Sequence, residues 1–98
     1  MTSYDAIQNY FEPLVIQRLN EVAEGRPEEG DDDFLEDVAC VALNHLPSRY
    51  VRFRVDAAFY LTTEERNRID RMVDDAVNDA FDFVAHHRRR EAESEAAE

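Results

Sequence analysis

Residues 62–84 read TTEERNRIDRMVDDAVNDAFDFV, and this stretch carries the clearest structural pattern in the chain. Its apolar side chains recur every three or four positions, which is the spacing of one face of an α-helix. They are Ile69, Met72, Val73, Ala76, Val77, Ala80, Phe81 and Val84. Thr62 and Glu65 have the spacing of a capping box, which predicts where the helix begins. The stretch therefore predicts a long amphipathic helix with a mainly acidic opposite face.

The stretch from Asp33 to Leu46 is the most apolar part of the chain and predicts another helix. Its apolar residues cover most of the helix circumference, so we expect this helix to be central and buried. Asp33 and Glu36 resemble a capping box at its start, and Pro47 follows its end. Residues 50–55 alternate between two sides, which predicts a short extended segment. A lone strand is unstable, so this segment would pair with a symmetry mate or lie against the helices.

The N-terminal segment, residues 3–23, has apolar side chains at helical spacing and leaves two interpretations open. Asn9 and Glu12 read as a capping box, which would place Pro13 in the first turn of a helix that starts at Tyr10. The alternative is a helix that begins near the start of the segment and kinks near Pro13. We favour a short helix, a kink and a main helix.

The composition is that of a small helical protein. The chain has 98 residues, with only two glycines and three prolines. Few turn residues mean that helices should dominate, so we expect a mainly α fold with a short extended segment near residues 50–55. We place a single helical domain in residues 1–88 and expect residues 89–98 to be a disordered, charged tail. A core this small gains from burial against a partner, so we expect a homodimer.

The charge balance excludes several classes of function. The chain has 23 acidic residues and 11 basic ones, all of them arginine, and its net charge is −12. Nucleic-acid binding needs a basic surface that neutralises phosphates, so we expect no nucleic-acid partner and no membrane partner. The sequence has neither an apolar run of membrane-spanning length nor a signal-peptide pattern at its start, so we expect a cytoplasmic protein.

One short segment differs from this acidic background. Residues 49–54 read RYVRFR, with three arginines, two aromatic residues and no acid. Arginine offers a two-pronged donor to phosphate and a flat face that stacks on a base. Arg49, Tyr50, Arg52 and Arg54 are therefore candidate ligand-binding residues. The alternative is that the arginines pair with acids of neighbouring helices, and the residues alone favour this alternative.

The sequence offers no catalytic or metal-binding constellation. Cys40 lies inside the apolar helix, where we expect it to be a packing residue. The three histidines are scattered, and Asp75, Asp79 and Asp82 share a helix face without an evident partner. The sequence also lacks a glycine-rich phosphate loop. We therefore expect no enzyme activity, no catalytic residues, no cofactor and no metal.

Residues 37–50, DVACVALNHLPSRY, resemble the late competence development ComFB family. That family has a buried helix that ends in a stretch like A-L-N-x-L-P-x-R-Y. The chain matches this stretch at Ala42, Leu43, Asn44, Leu46, Pro47, Arg49 and Tyr50. Residues 9–15, NYFEPLV, resemble the family's N-x-x-E-x-L-V pattern, and the last helix resembles its close.

The resemblance implies a small, mainly helical, dimeric cytoplasmic protein of competence, motility or cell-size regulation. Some family members resemble receptors for cyclic di-GMP or cyclic di-AMP, whose phosphates and purines suit arginines and aromatic rings. Arg49 and Tyr50 match the family motif, whereas Arg52 and Arg54 are added from their chemistry. Some members bind zinc through cysteines before the buried helix; this chain has acids and a glycine in residues 28–33 instead, so we expect no zinc.

Two functions of different classes stay open. The leading one is a non-enzymatic regulatory protein of the ComFB type, which binds a cyclic dinucleotide and signals to an unknown downstream protein. The alternative is a protein–protein adaptor without a small-molecule ligand, whose dimer presents an acidic face to a basic partner.

Overall fold

A computed structural model describes residues 2–26, 31–52 and 61–96. Within these residues the chain forms three helices and one two-stranded antiparallel sheet. The elements in chain order are β1 (Gln8–Asn9), α1 (Phe11–Glu24), α2 (Asp32–His45), β2 (Tyr50–Val51) and α3 (Thr63–Ala96). The predicted mainly α fold is confirmed, and the predicted extended segment is present as β2. Residues 53–55 of that segment lie outside the described residues.

The long helix α3 supports the fold. Its buried side chains follow the predicted apolar face, with Val77 and Phe81 fully buried. The backbone N–H of Glu65 donates to the hydroxyl of Thr62 at 3.1 Å, which confirms the predicted cap. The helix runs to Ala96, in place of the disordered tail that the sequence predicted, and its last turns are exposed. The division of the chain at residue 88 stays a prediction.

Helix α2 begins earlier than predicted, and only one of its faces is buried. Its cap is Asp31 rather than Asp33, because the Asp31 carboxylate accepts the backbone N–H of Phe34 at 2.7 Å. Helices α1 and α3 pack on the side of α2 that carries Phe34 and Val38. Cys40 lies on another side and is exposed, so the expectation of a buried packing residue was wrong. Apolar residues around a helix do not by themselves supply enough neighbours to cover it.

The N-terminal segment forms a strand, so the favoured short helix and kink were wrong. Gln8 pairs with Val51 and Asn9 with Tyr50, which means that β2 pairs with this chain's own N-terminal segment. Helix α1 begins at Phe11, as in the capping-box interpretation to within one residue. Asn9 fixes both the start of α1 and the pairing of the two strands. Its side-chain oxygen accepts the backbone N–H groups of Phe11 and Arg49, each at 3.2 Å. One buried amide thus caps α1 and fixes the start of β2.

A single apolar core joins the three helices. The largest fully buried side chains are Phe81, Val15, Val38 and Val77, which come from all three. The rings of Phe34 and Phe81 meet edge to face with centroids 4.9 Å apart, a favourable geometry for an aromatic pair. No helix of the described residues has the length and apolarity needed to cross a membrane.

Candidate functional site

The structure places the predicted arginine segment at the sheet, beside the start of α1. Two hydrogen bonds fix the backbone of Arg49: its N–H donates to the side-chain oxygen of Asn9 at 3.2 Å, and its carbonyl accepts the backbone N–H of Tyr10 at 2.6 Å. Tyr50 follows in β2 with 68% of its surface exposed, and Arg52 is exposed directly after the strand. Arg54 lies outside the described residues. The backbone therefore presents Arg49 and Tyr50 from a fixed position.

The Arg49 side chain rests on an aromatic ring. Its guanidinium carbon lies 5.7 Å from the centroid of the buried Tyr10 ring, within the range of a cation–π contact. Among the described residues, no carboxylate forms an ion pair with Arg49. The ring orients the guanidinium without neutralising its charge, so its N–H groups are available to an anion.

A cleft of about 450 Å³ adjoins Arg49. It lies between the loop that leads from α2 to β2 and the first turns of α3. Apolar side chains that line it include Phe11, Ile69 and Met72, and its polar lining includes Glu65 and Arg68. Small-molecule sites in proteins are usually clefts of a few hundred cubic ångströms with apolar walls and a few placed polar groups. The size and lining of this cleft meet that description.

Arg68 also lines the cleft, and it was not among the site residues predicted from the sequence. Glu65, Arg68, Ile69 and Met72 are spaced three, four and seven residues along α3, so they share one helix face. This spacing was a usable signal, but it does not reveal that Arg49 lies at the same cleft. In the described part of the chain, neither Arg68 nor Glu65 takes part in an ion pair. Among the described residues, the cleft thus holds two guanidinium groups and one carboxylate.

Other arginines of the chain are paired with acids. Arg18 donates to Glu21 at 2.9 Å and to Asp74 at 2.6 Å, and these hydrogen bonds raise the pKa of Arg18. Arg26 lies over the Phe81 ring and pairs with Asp82 at 3.2 Å. Arg18 and Arg26 are thus held by carboxylates, whereas Arg49 has no carboxylate partner among the described residues.

Arg88 shows the paired arrangement most fully. Its guanidinium lies 5.0 Å from the centroid of the Phe34 ring and pairs with Asp31 at 3.1 Å and Asp37 at 3.5 Å. The pKa of Asp31 lies below its ordinary value, mainly because its carboxylate accepts the N–H of Phe34 and also because Arg88 is close. Arg88 therefore joins α3 to the beginning of α2.

The described residues contain no group of three or more His, Cys, Asp or Glu side chains placed to hold a metal ion. The described residues thus form a small three-helix domain with a cleft that Arg49 and Arg68 border.

The family model described as late competence development protein ComFB matches residues 8–88, from the first residue of β1 to Arg88 in α3. The chain belongs to this family, which confirms the resemblance found in the sequence. Membership supports a competence-related regulatory function. No match was found among curated proteins or among solved structures.

Proposed function

We propose that this ComFB-family chain is a non-enzymatic regulatory protein that binds a cyclic dinucleotide at the Arg49 cleft. Binding would alter its affinity for a downstream protein in competence, motility or related regulation. The supporting observation is that Arg49 lies on the Tyr10 ring, without a carboxylate partner among the described residues, at a cleft that also contains Arg68.

The chemistry of the cleft suits the parts of such a ligand. Arg49 and Arg68 supply donors for a phosphate, and charge-assisted hydrogen bonds of this kind are about twice as strong as neutral ones. The exposed Tyr50 ring offers a stacking surface for a purine beside Arg49. If the chain forms the homodimer predicted above, a two-fold axis would bring two such sites to one two-fold ligand. The dimer and the cytoplasmic location stay predictions.

The direct test is calorimetric titration of the full chain with cyclic di-GMP and, separately, with cyclic di-AMP near physiological salt. We expect micromolar or tighter binding of one of them. Arg49→Ala and Arg68→Ala should each weaken it about tenfold or more, because each removes a hydrogen-bonded charge pair. Arg52→Ala and Arg54→Ala test the remaining residues of the predicted site.

The matched control is Arg66→Ala. Arg66 is an exposed arginine of α3, two residues before Arg68, and it does not line the cleft. Arg66→Ala changes the net charge of the chain by the same amount as Arg49→Ala or Arg68→Ala, and it should alter the nucleotide affinity by less than about twofold. The proposal fails if neither nucleotide binds the folded protein, or if the Arg49 and Arg68 variants bind as tightly as the control.

A further inference from the structure

A second surface feature, an apolar groove of about 480 Å³, lies between α1 and α2. Ile16 and Leu19 contribute from α1, and Leu35 and Ala39 contribute from α2. Ile16 keeps 53% of its surface exposed, although it is a large aliphatic residue on a helix. Helix-in-groove recognition uses apolar depressions of this kind between two helices.

The edge of the groove is acidic. Asp32 and Glu36 line it, and Asp33 lies beside them in the first turn of α2. Their neighbours Asp31 and Asp37 pair with Arg88, but these three carboxylates form no ion pair within the described ranges. The described residues that line the groove include no arginine. An apolar floor beside unneutralised carboxylates therefore faces solvent.

We infer that this groove docks a basic amphipathic helix of a partner protein. The apolar side chains of that helix would cover Ile16 and Leu35, and flanking lysines or arginines would meet Asp32 and Glu36. A second copy of this chain fits less well, because a two-fold interface would bring the acidic edges of both copies into one contact.

The test uses two designed helical peptides with the full-length chain. Both carry leucine along one face, and the flanking positions are lysine in one peptide and glutamate in the other. Cys40 is the chain's only cysteine, is exposed and lines the groove, so the reaction rate of its thiol reports occupancy. The lysine peptide should bind, slow this reaction and lose affinity with added salt. The glutamate peptide should bind at least about tenfold more weakly.

Variants locate the contact. Ile16→Ser should weaken the lysine peptide about tenfold, since it removes exposed apolar contact area, and Glu36→Gln should weaken it about threefold. The matched controls are Phe83→Ser and Asp79→Asn on α3. Phe83 is 61% exposed, Asp79 is exposed, and neither lines the groove, so both variants should bind like the unmodified chain.

Three outcomes would overturn the inference. They are equal affinity for the two peptides, equal losses of peptide affinity in the groove and control variants, or self-association of the chain through the groove. The last would appear as a dimer that Ile16→Ser converts to monomers, while the lysine peptide leaves the Cys40 reaction rate unchanged. Circular dichroism of each variant separates these outcomes from unfolding.

Discussion

Arg88 and Arg49 make the same kind of cation–π contact in two regions of the molecule. Among the described residues, carboxylates offset the charge of Arg88 but not that of Arg49. Each guanidinium lies over an aromatic ring, Arg88 on Phe34 at 5.0 Å and Arg49 on Tyr10 at 5.7 Å. Arg88 also pairs with two aspartates, whereas Arg49 has no carboxylate partner in the described part of the chain. The comparison separates an arginine that ion pairs hold in the fold from one that we propose to bind a ligand.

The largest expected effect concerns the core beneath Arg88. Phe81 is fully buried against Phe34, so Phe81→Ala should reduce the free energy of unfolding by about 3–5 kcal/mol. Phe83→Ala, two residues along the same helix at an exposed position, should cost less than about 0.5 kcal/mol. Urea denaturation of both variants measures the difference. Similar losses would mean that the Phe34–Phe81 contact is not part of the core.

Asn9 links the Arg49 region to the fold. Its buried amide oxygen accepts two backbone N–H groups, so Asn9→Ala should cost about 1–3 kcal/mol by leaving them without that partner. It should also weaken nucleotide binding, because Arg49 loses its anchor. Asn20→Ala, at an exposed position of α1, is the control for both measurements. Loss of stability with unchanged nucleotide affinity would separate the anchor from the site.

Replacing each of the two arginines by methionine tests directly whether their roles differ. Arg88→Met should destabilise the fold by about 1 kcal/mol, the sum of a cation–π contact and exposed ion pairs, and should leave nucleotide affinity unchanged. Arg49→Met should destabilise the fold by about 0.5 kcal/mol, the part due to its cation–π contact with Tyr10, while it lowers nucleotide affinity. Urea denaturation and calorimetry on the same samples give both numbers. If both variants lose stability and affinity together, the two arginines do not differ in role.

The smallest effect is a dependence of stability on pH. The folded-state pKa of Asp31 lies below its ordinary value of 3.8. The ionised Asp31 carboxylate therefore stabilises the fold at pH above this ordinary value, and this stabilisation is lost as pH falls through the folded-state pKa. Asp31→Asn should therefore lower stability at neutral pH and lessen its decline in acid. Unfolding curves measured across this pH range, with Asp33→Asn as the control, test this. Equal declines for both variants would contradict the assignment to Asp31.

The sequence predicted those parts of the fold that depend on neighbours along the chain. The apolar face of α3 and its cap at Thr62 follow from spacing alone, and both are present. Spacing did not reveal the two bonds of Asn9, because its second partner, Arg49, is distant in sequence. The exposure of Cys40 was missed for a related reason, since it depends on which sides of α2 other helices cover.

The candidate site was predicted in part. Arg49 was found because three arginines and no acid fall within six residues of an acidic chain. Tyr50, predicted with it, is exposed in β2 and is not among the residues that line the cleft. Arg68 was not found, because its place at the cleft depends on how α3 packs beside the loop before β2. Local composition can thus indicate a binding segment, whereas the opposite wall of a cleft comes from tertiary packing.

Calorimetry with three proteins tests most directly whether the Arg49 cleft binds a cyclic dinucleotide. The unmodified chain, Arg49→Ala and Arg88→Ala are each titrated with cyclic di-GMP and with cyclic di-AMP. We expect one nucleotide to bind the unmodified chain and Arg88→Ala with similar affinity, and to bind Arg49→Ala at least about tenfold more weakly. No binding to the folded unmodified chain, or equal binding to all three proteins, would contradict the proposal.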